Sequence, residues 1–564
     1  MSKLAVQGQH DVGWAKALSG PDRKKVIEAY EKEMASLCDT ILERVLEGDD
    51  DYKTALKEAV SGRLILDVKR KLGTYKARGV KQGFKENILW ADGPGFNYYS
   101  SVAKLFSARV TIFRPHRRGR SICVIDVATA YLQAHQFEGF IKYIVFKNPI
   151  TGVREYYRQH GPIYGEKSSA VRWENTIAPW LEEPEQGFIR GENERCIFWH
   201  PERDLTICLY VDDCLIDGDE DDIKWFLERI NTRFKCKEAE WLTPTTPLDY
   251  LGMEVSMDSE RVYICMEQYI LNMVKMLRLE GNRRYSTPIG SPIDSSAPPL
   301  SPHERKRYMQ ALGCVGWLVN TARPDVAYAH SRIAQHMANP TTSAWEAIKR
   351  VCLYLRDTAN LALSAPLWEV DITHCRDKHG KPSDLANTDA WAWFTDSDFA
   401  GNQEVQNNRR SQNGYLAILN GAPVLWGSKV SSVAFAHPKI GESHADVSSA
   451  AAEIYGAANA TYDFLHLTYV AEEAGIEVKL PIILQGDNSA AESFINNSSA
   501  RTKLKHIDCR QEWVRMLRNK EVLLPIHVSS ADNLADLFTK ILDRQVFEKL
   551  RDLIMVRRDI DRRP

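Results

Sequence analysis

Apolar residues recur at near-helical spacing over 22–47, where Val26, Ala29, Met34, Leu37, Ile41 and Val45 fall among charges and predict a helix. From Lys69-Arg70-Lys71 through Tyr75-Lys76-Ala77-Arg78 to Lys81 and Lys85, cations alternate with small and apolar residues, as in a strand with one charged face. Residues 121–132 predict a buried strand that gives way at Asp126 to an Ala-rich turn or helix. Around Tyr210-Val211-Asp212-Asp213, two apolar, β-rich runs flank adjacent carboxylates, which predicts a hairpin with the acids at or beside its turn.

The Pro- and Ser-rich stretch 286–302 keeps no period and reads as a linker. Residues 304–360 return to a helical pattern, clearest over 344–355, and a polar stretch at about 366–390 makes a second boundary. After it comes a strand, Trp391 to Phe394, that ends in Asp396 and Asp398. An Ala-rich helix follows over 446–474, with a stripe of Ile454, Ala458, Thr461, Leu465 and Thr468, and Gly475 is placed to stop it. Glu453 lies one position from that stripe. Residues 480–487 form a further strand that runs into Asp487, and 533–540 read as a helix start that carries Asp536.

Composition changes this picture little: 44% hydrophobic and 26% charged residues are ordinary for a globular chain. The net charge of -2 leaves nucleic-acid binding to local basic patches, at 69–85, 114–120 and 501–505. Eleven cysteines show no CxxC pair, so reduced, buried thiols are expected and no zinc site. Neither a signal-peptide core nor a membrane-length apolar run is present. A soluble cytoplasmic or nuclear protein is expected, not secreted and with no membrane partner.

The acids carry the chemistry. Asp126, Asp212 and Asp213 end strands in the first half, and Asp396, Glu453, Asp487 and Asp536 end strands or start helices in the second. Singly, an acidic turn or a helix cap explains each of them. Together, acids at neighbouring strand ends can converge on one sheet edge, at a cost that cations offset. Magnesium takes oxygen ligands and shares phosphate oxygens, and two such ions about 4 Å apart can clamp an in-line displacement.

With these motifs in order, the chain resembles the reverse transcriptase–ribonuclease H region of a copia-type retrotransposon Pol polyprotein, from about 11 to about 556. Tyr75 to Phe84 looks like the fingers segment, Ile125 to Leu132 the first palm motif, Ile163 to Trp173 the template-side motif, Tyr210-Val-Asp-Asp213 the polymerase signature and Tyr250 to Glu254 the primer-grip region. Thr321 to Tyr328 with Met337 to Pro340, then Phe394 to Gly401, Ser448 to Glu453, Gly486 to Ala490, Lys505 to Arg510 and Leu534 to Lys540, follow in the family's order.

The resemblance implies an α+β polymerase of fingers and palm, an antiparallel sheet with helices, over 10–285. It continues with a linker at 286–303, a helical thumb or connection at 304–365, a polar linker at 366–390 and an α/β ribonuclease H-like domain at 391–556. It implies catalytic, metal-binding roles for Asp126, Asp212 and Asp213, and for Asp396, Glu453, Asp487 and Asp536, with Asp398 a weaker alternative to Asp396. Lys76, Arg78 and Tyr131 would bind the nucleotide. Tyr164, Gly165, Lys167, Leu251 and Gly252 would meet template and primer, and Lys505 and His506 the hybrid. Each active site would take two magnesium ions, with manganese as the substitute. Implied partners are an RNA template, a DNA or RNA primer, the RNA–DNA hybrid, deoxynucleoside triphosphates, and the element's own integrase and capsid proteins, in virus-like particles. Ser168 and Val171 replace a Gln and an Arg usual in the template-side motif, and Ala451 stands where a second acid is common. Those departures keep two other readings open: a catalytically impaired relic that binds nucleic acid or protein, and a chain with ribonuclease H activity only.

Overall fold

A computed structural model of the chain describes residues 10–11, 13–69, 74–86, 92, 95–115, 119–279, 281, 283–384, 389–399, 410–431, 435–436, 443–444, 449–497 and 508–558. The chain divides into two compact units, one of residues 2–103 and 123–240 and the other of 104–122 and 241–564.

In the first unit, the helix Arg23–Thr40 buries Val26, Ala29, Tyr30, Met34 and Leu37. It is shorter than the predicted 22–47. Ile41 leaves the helix, and Leu42–Val45 is a strand paired antiparallel with Arg154–Gln159. Cross-strand pairing outweighs a helical period that Ile41 and Val45 continue only by coincidence. Val60–Lys69 pairs with Thr74–Lys81, where Lys76 and Arg78 share the more exposed face as the cation pattern predicts, while Lys81 falls on the other face and is buried. A second sheet runs Arg120–Asp126, Asp213–Asp219, Leu205–Tyr210, Ile197–His200 and Ile189–Arg190, with residues 123–126 of its first strand in this unit. The predicted hairpin is its centre: Tyr210 pairs with Asp213 across a two-residue turn of Val211 and Asp212.

In the second unit, Leu248–Tyr250, Met253–Met257, Arg261–Cys265, Leu361–Pro366 and Val556–Arg557 form an antiparallel sheet. Helices Pro302–Thr321, Ala327–Ala334 and Thr342–Asp357 supply the predicted helical stretch. Residues 286–301 form no helix or strand, as their composition implies, although Ile289 and Ile293 are buried.

A mixed five-stranded sheet then runs Ala422–Val430, Gln412–Leu419, Trp391–Asp398, Ile482–Gly486 and Leu523–His527. The first three strands are antiparallel and the last two add in parallel. The helix Ser449–Glu473 packs on it: Phe464 lies 5.0 Å, centroid to centroid, from Trp393. Gly475 stops that helix at φ 74°, with the Ile476 N–H returning to the Ala471 carbonyl. The fold class is thus the one expected, antiparallel sheets with helices followed by further helices and an α/β layer. No described helix is long and apolar enough to cross a membrane.

Candidate active site

The first carboxylate cluster is built on the hairpin turn. Val211 holds φ 58°, a conformation a β-branched residue adopts only under constraint. Two hydrogen bonds fasten the turn. The Val127 N–H donates to the Asp212 carbonyl at 2.7 Å, and the indole N–H of buried Trp173 donates to the Val211 carbonyl at 2.6 Å. The first bond ties the turn to the end of the strand that carries Asp126. Burial, then the Asp126 charge, raises the Asp212 pKa, while Lys237 and Arg78 pull it back. Lys237 itself forms an ion pair with Asp126 Oδ2. Asp213 is half-buried at the start of the returning strand.

The predicted nucleotide-side residues gather around these acids. Lys76 and Arg78 share one strand face, two residues apart. Loss of water, then the Arg78 and Lys237 cations, lower the Lys76 pKa against the pull of Glu33 and Asp126. Arg78 Nη1 is held 2.6 Å from Asp67 Oδ2. Tyr131 is half-buried, its ring 5.2 Å from that of Tyr164, and both phenols are raised by burial first and by the Asp212 charge next.

The template-side segment is held by its backbone. The Tyr164 carbonyl accepts from the Lys81 N–H at 2.7 Å, and the Gly165 carbonyl from the Gly83 N–H at 3.1 Å. A Cβ on Gly83 would lie 2.3 Å from the Gly165 oxygen, so this approach requires glycine. Lys167 reaches the Glu86 carbonyl at 3.3 Å. Ser168 and Val171, the two departures, are buried, and Ser168 Oγ has no hydrogen-bond partner among the described residues.

A buried ion network that sequence reasoning missed lies beneath this segment. Lys81 Nζ is 2.8 Å from Glu86, Lys142 Nζ is 2.5 Å from Glu166 and 2.9 Å from Asp92, and Arg172 is 3.0 Å from Asp92. Three cations face three carboxylates, which is what lets them be buried. Lys81 and Glu86 apart, the partners lie tens of residues from one another, so no local pattern announces the network.

Leu251 and Gly252 form the turn between Leu248–Tyr250 and Met253–Met257 in the second unit, both at positive φ, with the Leu251 side chain buried.

The second cluster lies at the mixed sheet. Asp396 sits near the end of the central strand, Glu453 in the first turns of the packed helix, and Asp487 directly after the strand Ile482–Gly486. Each offers a carboxylate oxygen, all within 4.8 Å of one another. Asp398, the weaker alternative, is not in this group. Two glycines admit the neighbours. A Cβ on Gly456 would lie 2.9 Å from Ser397 Oγ, so the helix that carries Glu453 can come close. A Cβ on Gly414, which pairs with Asp396, would lie 2.7 Å from Thr539 Cγ2 and 2.8 Å from Phe538 Cβ.

The 3-10 turn Leu534–Phe538 brings Asp536 alongside. It is capped by Asn533, which accepts from the Ala535 N–H at 3.1 Å and donates to the Thr395 carbonyl at 3.2 Å. Thr539 donates to Asp396 Oδ2, and Lys540 Nζ lies 2.8 Å from Asp536 Oδ1. Burial, then Asp396 and Asp487, pushes Glu453 up to about 9. Burial, then Asp396, pushes Asp536 up to about 7, opposed by Lys540. Burial raises Asp396 as well, against Lys540 and Thr539. Three carboxylates this close, with Asp536 beside them, hold their charge only with added positive charge, and their hard oxygen donors suit a divalent cation.

Lys237, Thr539 and Lys540 also escaped the residue-level reading. Lys540 had a signal, its i,i+4 spacing from Asp536. Lys237 had none, since Asp126 is 111 residues away. Lys505 and His506 lie outside the described residues.

Residues 57–291 match the family described as "Reverse transcriptase (RNA-dependent DNA polymerase)", which gives the class of protein. More narrowly, the chain is similar to the reverse transcriptase region of copia-type retrotransposon Pol polyproteins. It is 25% identical over 557 residues to the "Retrovirus-related Pol polyprotein from transposon TNT 1-94" of Nicotiana tabacum, covering 95% of this chain and 38% of that one. It is 27% identical over 495 residues to the corresponding polyprotein from transposon RE2 of Arabidopsis thaliana, covering 85% and 30%. The chain thus spans roughly a third of the length of these relatives. A solved foamy viral protease-reverse transcriptase in complex with double-stranded DNA aligns over 90% of this chain and 69% of that one, at 10% identity and a TM-score of 0.45.

Proposed function

We propose that the chain is an RNA-directed DNA polymerase that also cleaves the RNA strand of RNA–DNA hybrids. The carrying observation is the group of Asp396, Glu453 and Asp487, together with the Asp126 and Asp212 pair that has Lys76 and Arg78 beside it. The polymerase part would be residues 10–285 and the ribonuclease H part 391–556, joined through 304–365.

Asp126, Asp212 and Asp213 would hold one set of divalent cations, and Asp396, Glu453, Asp487 and Asp536 the other. Bound magnesium, or manganese in its place, supplies charge that activates the attacking oxygen and stabilises the phosphate in the transition state. The residues do the positioning. Lys76 and Arg78 bind the triphosphate of the incoming deoxynucleotide, Arg78 held in place by Asp67. Tyr131 packs against the sugar and disfavours a 2′-hydroxyl. Tyr164, Gly165 and Lys167 carry the template, the Leu251-Gly252 turn the primer, and Lys505 and His506 the hybrid. Integrase and capsid proteins of the same element, in cytoplasmic particles or the nucleus, complete the proposed partners.

A second reading, ribonuclease H activity without synthesis, is favoured by one observation. Ser168 and Val171 are buried and present no side chain to a template. One preparation separates the two readings. Extension of a DNA primer on RNA and cleavage of a labelled hybrid are assayed with magnesium, for the wild type and Asp212→Asn. Both activities in the wild type, with extension alone lost by at least about 10²-fold in the variant, support the bifunctional reading. Cleavage without any extension in the wild type leaves the second.

A further inference from the structure

The acids of the second cluster are not left to repel one another. Lys540 Nζ lies 2.8 Å from Asp536 Oδ1 and 3.8 Å from Asp396 Oδ2. The two carboxylates are 7% and 4% exposed, whereas the lysine side chain is 37% exposed and so reaches in from the surface. Thr539 adds a hydrogen bond to the same Asp396 oxygen. Its exposed part gives the side chain a way out toward solvent when it leaves the acids.

We infer that Lys540 is a built-in counter-cation of the cluster, one that neutralises Asp396 and Asp536 when no divalent cation is bound and withdraws toward solvent when one arrives. The inference rests on the reading of this cluster as a divalent-metal site. Its reason is electrostatic. Without a cation the packed acids destabilise the fold at this edge, and the lysine removes part of that repulsion. An ammonium group and a divalent cation on the same carboxylate oxygens repel each other, so binding the metal displaces the lysine. Lys540 thereby sets the metal concentration at which the site fills and keeps the edge folded below it. Lys237 makes a comparable pair with Asp126 but is 56% exposed, so solvent screens it more.

The test uses the full chain carrying Asp126→Asn and Asp212→Asn, which silences the first cluster. Manganese(II) binding is followed by electron paramagnetic resonance of the free ion, with and without Lys540→Gln. The expected result is manganese binding about tenfold tighter in the Lys540→Gln chain, the size of a typical coupling between two ligands that compete electrostatically. Lys540→Met, which keeps the aliphatic stem, gives the same shift. In chelator, removal of the lysine lowers the melting temperature, and this drop shrinks when Asp536→Asn is also present. Equal or weaker manganese binding in both lysine variants overturns the inference while leaving the metal site standing. Manganese binding that is absent throughout, or indifferent to Asp487→Asn, overturns the metal-site reading and the inference with it.

Discussion

Glu453 is a carboxylate whose surroundings favour a proton at neutral pH. Its folded pKa, about 9, stands far above the ordinary 4.5. Between those values the folded state keeps a proton that the unfolded chain has released. The resulting stability is present in full below about pH 4.5 and is lost as pH rises through about 9. Asp536, raised to about 7, acts with the same sign over a narrower window. In chelator the melting temperature should therefore fall from about pH 5 to about pH 9, less steeply in Glu453→Gln. Calorimetry across that range checks this, and a flat profile for the wild type in chelator would contradict it. Trp173 makes a second prediction at this scale. Trp173→Phe removes the donor to the Val211 carbonyl and should cost about 1–3 kcal/mol, read by chemical denaturation, together with slower primer extension.

Among the elements, periodicity located the strands that end in acids. The strand into Asp126, the hairpin at Asp212, the strand to Asp396, the Ala-rich helix with Glu453 and the strand into Asp487 all stand where apolar runs placed them. The helix predicted over 22–47 overran because Leu42–Val45 pairs with a strand more than a hundred residues later, which no local pattern encodes. Close approach between elements was equally hidden. Nothing in the sequence singled out Gly414, yet its missing side chain leaves room for the turn that bears Asp536. Gly414→Ala should push that turn away and lower hybrid cleavage by about 10²-fold, with primer extension kept. Parallel assays of the two activities provide the check.

For the whole molecule, the two clusters fall in different compact units, Asp126, Asp212 and Asp213 in one and Asp396, Glu453, Asp487 and Asp536 in the other. Their chemistry should then be separable. Asp487→Asn should abolish hybrid cleavage and spare extension, the converse of Asp212→Asn, measured on the same substrates. Loss of both activities in either variant would argue against independent sites.

The sequence by itself determined the order of motifs, the family resemblance and the identities of the acids, because these are written in local patterning and residue type. It also marked 286–301 by composition as a stretch without helix or strand. Only the tertiary structure decided which acids meet and what neutralises them. It chose Asp396 over Asp398, set Lys237 on Asp126 and Lys540 on Asp536, and balanced three buried cations against three carboxylates beneath the template-side segment. Charge pairing acts through space over a few ångströms, whatever the separation along the chain, and so it leaves no period to read.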